Sequence, residues 1–539
     1  MFKRLTLYAA LLGLLAGSLV PFSRSGLAGQ PISIKRPKLI LALTIDQFRY
    51  DFLVRFRPYF TAGGFNLLLG GAVFIDCRYD YATTITCPGH ATLFTGAYSN
   101  VHGIIGNEWY DRSLNQKVYC AGDPKEKLVG SAPGPGFSPR RLLGTTIGDE
   151  LRMATGFKSR VFSLSLKDRA SVIPGGHLAN AAYWYDVRTG RFVSSTYYMQ
   201  ELPSWVRQFN DSLPAKPYCG KNWQALTETP EAGGKMLKQF RDEANEPCPG
   251  PRFLGWLNTT PFMSEIELKF AGQLIKAEHL GSGPGTDMLA VSLSVNDYIG
   301  HAFGPYSDEV ADTSLRTDRD LADFFRQLDR SLGLKNVWII LSADHGASPN
   351  PRDIRQHHLN ENRPLTSLVG NAVERALSQA FGQGKWIQDF DGFYLSFNRP
   401  ALKQRQVDPD KAAVLAAEAA SAVPGVLAAF TRNQFLTGGL PLSPLGRKAN
   451  NSYNRQRSGD VFIELEPFAL PIAGEIETSH GSPWSYDSQV PLILWGDSFR
   501  PGVYANPVEP IDLAATLAVA LGINQPSGSE GHPAVMALK

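Results

Sequence analysis

The chain has 539 residues, 43% of them hydrophobic and 19% charged, enough apolar material for a large core and too little charge for a disordered chain. Its formal net charge of +3 comes from 53 basic and 50 acidic residues, but the first 28 residues hold Lys3, Arg4 and Arg24 and no acid. The remainder is therefore neutral, which argues against a nucleic-acid-binding surface built on overall basicity.

Lys3 and Arg4 precede an apolar run from Leu5 to Val20, and small residues follow to Ala28. This order predicts a signal peptide over residues 1–28 and an exported, periplasmic or extracellular protein. The run is too short for a comfortable membrane span, and no later stretch reads as one. Five cysteines remain: Cys77, Cys87, Cys120, Cys219 and Cys248. None has zinc-ribbon spacing, and export permits disulfides. The expected pairs are Cys77 with Cys120 and Cys219 with Cys248, leaving Cys87 free.

Apolar runs ending in polar residues recur along the chain. Leu39 to Ile45 ends at Asp46. Arg160 to Leu166 ends at Lys167, and Met288 to Val295 leads to Asp297. Val337 to Leu341 leads to Asp344 and His345, and Val490 to Trp495 is a further buried-type run. Such runs suit strands covered on both faces. Ser307 to Leu332 and Ile511 to Leu521 read as helices, the second ending at Gly522. The alanine-rich stretch from Ala412 to Phe430 reads as a soluble helix with a break. This alternation predicts an α/β fold with a doubly wound, mostly parallel sheet and helices on both faces. Ligands then bind beyond the carboxyl ends of the strands. The catalytic domain is expected over 36–535. Two stretches, 176–255 and 366–455, break the rhythm and read as insertions that cover or flank the core. The first is rich in aromatic residues, including Tyr183, Trp184, Tyr185, Tyr197 and Tyr198, that suit part of a lid.

The acids and histidines at the run ends form a set. Asp46, Asp297, His301, Asp344, His345 and His480 combine carboxylate and imidazole donors, which suits zinc or a similar divalent ion. Asp297 and His301 stand at i and i+4, one side of a helical turn. Each alone reads as a cap or a surface residue; their joint placement at successive strand ends points to two metals.

The nucleophile candidate is Thr86, in Thr86-Cys87-Pro88-Gly89-His90, with a helix expected to start at Gly89 or His90. Its hydroxyl needs activation, which a metal can supply. Cys87 competes, but the Cys-x-Pro-x-Arg pattern of sulfatases is absent. Asn107 follows His102-Gly103-Ile104-Ile105-Gly106 and has an amide to donate to a phosphoryl oxygen. Lys167 and Arg169, at i and i+2 of an expected extended segment, face one way and suit a dianion.

With these motifs in place, the sequence resembles the alkaline phosphatase superfamily, in its type I phosphodiesterase/nucleotide pyrophosphatase branch. It is most similar there to secreted, phosphate-irrepressible bacterial alkaline phosphatases with a threonine nucleophile. The likeness runs from about Lys38 to Gly522. Thr86 to His90, His102 to Asn107, Asp297-Tyr298-Ile299-Gly300-His301, Asp344-His345-Gly346 and His480-Gly481 carry it. The resemblance implies two zinc ions per chain. Asp297, His301 and His480 would hold one; Asp46, Asp344 and His345 would hold the other, with Thr86 beside it. Asn107, Lys167 and Arg169 would contact the phosphoryl group. No counterpart of a third, magnesium-type site is identifiable. The implied activity is hydrolysis of small-molecule phosphate monoesters through a phosphothreonine, and the chain is expected to be a monomer. A phosphodiesterase or nucleotide pyrophosphatase with the same metal core is the alternative, and a binding protein on a dead enzyme fold is the rival from another class.

Overall fold

The computed structural model describes residues 35–240, 247–356, 366–469 and 478–539. The expected signal peptide lies outside the described residues. Among those described, no helix is long and apolar enough to cross a membrane.

An 11-stranded sheet organises the chain. From one edge its strands are Gly502–Tyr504, Ala72–Arg78, Gln489–Trp495, Val337–Ser342, Leu39–Ile45 and Asp287–Leu293. Val161–Ser165, Ala181–Asp186, Arg191–Ser195, Gly122–Val129 and Pro135–Phe137 follow to the other edge. The run from Val337–Ser342 to Ala181–Asp186 is parallel throughout. Outside it the strands Gln489–Trp495 and Arg191–Ser195 enter antiparallel, so the sheet is mixed, with a parallel centre.

The central strands form because their apolar runs are buried along their whole length, the pattern of a sheet covered on both faces. Leu41, with no exposed surface, sits between Leu289 and Ile339; truncating such a side chain to alanine costs roughly 2–5 kcal/mol. Register decides where the polar ends emerge. Ile45 lies beside Leu293, and Thr44 beside Ser342. Ser292 lies beside Ser165. The residues that follow these positions, among them Asp46, Asp297, Asp344 and Lys167, therefore leave the sheet at one end.

Helix Asp308–Leu332 begins where the Ser307 hydroxyl accepts from the Val310 amide at 3.2 Å. Helix Asp512–Leu521 ends at Gly522, whose φ of +59° is the left-handed cap a glycine takes without strain. The alanine-rich stretch divides: Pro409–Ser421 is helical, and Val426–Thr431 is a strand rather than more helix.

The stretch 176–255 contributes to the core as well as flanking it. Ala181–Asp186 and Arg191–Ser195 extend the main sheet, and Tyr183, Trp184 and Tyr185 are buried in it. Alternation along the strand sends Tyr183 against Trp205 and Phe270 on one face and Trp184 against Phe137 on the other. Within 366–455, the strands Ile387–Phe390, Tyr394–Phe397 and Val426–Thr431 join Val461–Leu465 in a separate four-stranded sheet. Helices Thr366–Phe381 and Pro409–Ser421 cover it, with Val373, Leu377, Trp386 and Ile463 in a core of its own.

The disulfides are Cys87–Cys120 and Cys219–Cys248, and Cys77 is a buried free thiol. The second pair is as expected. The first corrects the expectation that Cys120 takes Cys77 and Cys87 stays free. Cys77 lies inside strand Ala72–Arg78, opposite Val490, whereas a hairpin carries Cys120 to the start of the helix that holds Cys87.

Candidate metal centre

Helix Thr86–Thr95 starts three residues earlier than expected, at Thr86 itself. Its first turn packs against the Asp344 backbone so closely that a Cβ on Gly89 would stand 2.2 Å from the Asp344 carbonyl oxygen. Only glycine permits that approach, which sets the threonine beside the strand-end loop. Thr86 is buried, and its Oγ1 lies 3.5 Å from His345 Nε2.

Two groups of donors converge. Asp297, His301 and His480 form one; Asp46, Asp297 and His345 form the other, so Asp297 belongs to both. Asp297 and His301 share a face of helix Val295–Phe303, with Oδ1 and Nε2 3.2 Å apart, as their spacing predicts. His480 Nε2 is 3.6 Å from the same Oδ1. His345 Nε2 lies 3.4 Å from Asp46 Oδ1 and 3.4 Å from Asp344 Oδ2. Asp344 thus reaches the second group from the side of Thr86.

The imidazoles are oriented alike. Nδ1 of His301 donates to the Thr478 carbonyl at 2.9 Å, Nδ1 of His345 to the Gly346 carbonyl at 2.9 Å, and Nδ1 of His480 to the Thr84 carbonyl at 3.0 Å. Each ring therefore turns Nε2 to the cluster and, in its neutral form, offers that nitrogen unprotonated, the tautomer a metal ligand needs. Burial, and then the neighbouring His345 and His301, push the His480 imidazolium well below its ordinary range. Burial also lowers His345. At Asp297 burial would raise the carboxyl, but His301 and Lys167 hold it well below the usual range. Burial drives Asp46 well above, Asp344 adds repulsion, and Lys167 opposes both. Asp46 Oδ1 and Asp344 Oδ2 are buried without a hydrogen bond among the described residues, an arrangement that favours a cation. The residues fit divalent metal on all three counts: donor chemistry, tautomer and orphaned oxygens.

Lys167 is placed differently from the expectation of two cations on one extended segment. The extended backbone ends at Lys167, and Asp168 and Arg169 open helix Asp168–Gly175. The Lys167 ammonium bridges Asp46 Oδ2 at 2.6 Å and Asp297 Oδ2 at 2.5 Å. It thereby links one carboxylate from each of the predicted metal sets. Arg169 donates to the Tyr119 hydroxyl at 3.3 Å, while its Nε is buried without a partner among the described residues. Lys167, Arg169, Tyr298, Trp184 and Phe137 line a cavity of about 340 Å³ beside the centre. Asn107 accepts the Cys87 amide on Oδ1 at 2.9 Å, which turns its NH₂ group away from that amide.

Two residues were missed. Gln47 takes φ +60°, donates its side-chain amide to Asp297 Oδ1 at 2.8 Å and its backbone amide to Asp344 Oδ1 at 3.2 Å. It ties one carboxylate of each metal set, and a lone glutamine after an aspartate carries no spacing signal. His90, inside the threonine motif but given no role, has Nδ1 3.3 Å from Asp344 Oδ2 and 3.0 Å from the Thr86 carbonyl.

The family described as type I phosphodiesterase / nucleotide pyrophosphatase matches residues 40–481, and the chain belongs to it, within the alkaline phosphatase superfamily. Alkaline phosphatase PhoV of Synechococcus elongatus is 37% identical over 521 residues, 93% of either chain. Alkaline phosphatase PafA of Elizabethkingia meningoseptica is 35% identical over 523 residues, 93% of this chain and 94% of its own. A crystal structure of wild-type PafA superposes with a TM-score of 0.86 at 33% identity, covering 94% of this chain and 100% of that one. The α/β fold is therefore that of alkaline phosphatases.

Proposed function

We propose that the chain is an exported alkaline phosphatase that hydrolyses phosphate monoesters at a two-zinc site through a phosphothreonine on Thr86. The observation that carries this reading is the convergence of two carboxylate–imidazole groups on one shared aspartate, with the Thr86 hydroxyl 3.5 Å from one of their imidazoles. The relatives named alkaline phosphatases support it.

Asp297, His301 and His480 would hold one metal, and Asp46, Asp344 and His345 the other. When bound, the pair supplies the positive charge that activates a hydroxyl and stabilises a departing alkoxide. Thr86 attacks phosphorus in line; its O–P bond forms as the bond to the leaving alcohol breaks, and its proton passes to solvent. Water then attacks the phosphothreonine, releases phosphate and restores the hydroxyl. With Asp46 and Asp297 committed to metal, the Lys167 ammonium has the phosphoryl oxygens as its counter-charge. Arg169 and the Asn107 NH₂ group complete the contacts, so positioning and electrostatics do most of the work. The first 28 residues serve as the export signal, and the mature chain acts as a monomer.

Phosphodiester hydrolysis at the same core is the competing reading. A monoester dianion carries one more negative charge on its nonbridging oxygens than a diester, so Lys167 and Arg169 favour the monoester. The test assays Lys167→Ala/Arg169→Ala on matched monoester and diester substrates. A selective loss of monoester turnover is expected; an equal fall on both would overturn this specificity.

A further inference from the structure

Thr86 is followed immediately by a half-cystine, and the other half ends a hairpin that begins at a proposed phosphoryl contact. Cys87 occupies the first turn of helix Thr86–Thr95. Cys120 follows strand Gln116–Tyr119, which pairs antiparallel with Glu108–Asp111 so that Glu108 faces Tyr119. One step beyond that pair lie Asn107 and Cys120, and the Cys120 amide donates to the Asn107 carbonyl at 2.8 Å. The Cys87 amide donates to the Asn107 side-chain oxygen at 2.9 Å. The two halves of one disulfide thus hold the same asparagine, one by its main chain and the other by its side chain.

We infer that the Cys87–Cys120 disulfide is a positioning element for catalysis, fixing the Asn107 amide against the helix that carries Thr86. The inference rests on the phosphoryl-contact role proposed above for Asn107. The hairpin forms a two-stranded sheet apart from the main one, and an isolated two-stranded hairpin is marginal in water. Its ties to the nucleophile helix are the crosslink, the bond from the Cys87 amide to Asn107 and the apolar cluster that holds Trp109, Val118, Cys87 and Cys120. With Oδ1 occupied by the Cys87 amide, the Asn107 NH₂ has one direction left. Small displacements of such a donor are costly, because a donor aimed at a developing charge contributes only when it is in place. A disulfide that served stability alone would have no reason to act through Asn107.

The experiment is a double-mutant cycle between Cys87→Ala/Cys120→Ala and Asn107→Ala, read as kcat/KM on a monoester, inhibition by inorganic phosphate, and metal content. Removing a charge-stabilising donor costs about 10²-fold, and that is the loss expected for Asn107→Ala. Removing the disulfide is expected to cost about 10-fold in kcat/KM and to weaken phosphate inhibition, with metal content unchanged; the loss disappears in the Asn107→Ala background. Should the cysteine variant not fold, the folded wild-type and Asn107→Ala enzymes are reduced with a phosphine in a Cys219→Ala/Cys248→Ala background, and the same comparison is made. An equal loss in both backgrounds, or none in either, overturns the proposal while leaving the two-metal phosphatase reading intact. Full activity of Asn107→Ala overturns both the proposal and the assigned role of Asn107.

Discussion

Replacing Gly300 with alanine tests whether Gln47 governs the metal ligands. An ideal Cβ at Gly300 stands 1.8 Å from Gln47 Oε1, and reaching an ordinary carbon–oxygen separation of about 3.3 Å displaces the amide by roughly 1.5 Å. The bond from Gln47 Nε2 to Asp297 Oδ1, 2.8 Å long, does not survive such a shift. A hydrogen bond to a charged group contributes about 1.5–3 kcal/mol, and loss of an outer-shell partner typically costs 10–100-fold in metal affinity or activity. Helix propensity acts the other way, since alanine is about 1 kcal/mol better than glycine inside a helix. Gly300→Ala in the wild-type background is therefore expected to weaken zinc binding and kcat/KM about 10-fold or more. In a Gln47→Ala background, where the collision is gone, Gly300→Ala is expected to leave zinc binding unchanged and to stabilise the fold by about 1 kcal/mol. Zinc affinity by chelator competition and stability by denaturant titration supply the readouts. If the two substitutions prove additive in zinc affinity, Gln47 is not the route by which Gly300 affects the centre.

Thr86→Ala is expected to retain metal and abolish turnover; normal rates in that variant would exclude Thr86 as the nucleophile. Removing metal with a chelator should abolish activity and adding zinc should restore it, with two zinc ions per chain by elemental analysis; activity that survives complete removal rules out the two-metal mechanism. Glu464 gives a pH test away from the centre. Buried at 2% exposure, its carboxyl is pushed up to about 7 by desolvation, with Lys448 opposing. A carboxyl raised on folding contributes stability present below its unfolded value of about 4.5 and lost as pH rises through about 7. The effect reaches at most roughly 3 kcal/mol. Glu464→Gln should therefore lessen the fall in Tm between pH 5 and pH 8, and an unchanged fall would show that another group carries it.

The candidate metal centre was legible because parallel register converts strand-end residues into neighbours. Asp46 and Asp344 lie one or two positions past strands that pair side by side, and His301 follows Asp297 by one helical turn. Lys167 was found for the same reason, but its partners were not. Its choice of Asp46 and Asp297 depends on three strands meeting, and no local pattern records that. The Cys87–Cys120 pairing was hidden because it is set by where a hairpin docks. The strand that holds Tyr183 to Tyr185 was not legible, because bulk and irregular polarity describe a covering loop as well as a crowded strand inside the sheet. Gln47 left no trace, since its importance comes from a backbone angle and from Gly300, far away in sequence.

The histidine rings lean on the carbonyls of Thr84, Gly346 and Thr478, and every amino acid carries a carbonyl. Had aspartates held these rings, one substitution would misorient a ligand. Here the orienting acceptor is written in the course of the chain, and Thr84 and Thr478, buried and hydrogen-bonded through their own hydroxyls to Ser482 and Ser348, help to hold that course. The same arrangement shifts the burden to geometry: an insertion or deletion in these loops, harmless on most enzyme surfaces, would here turn a ligand away.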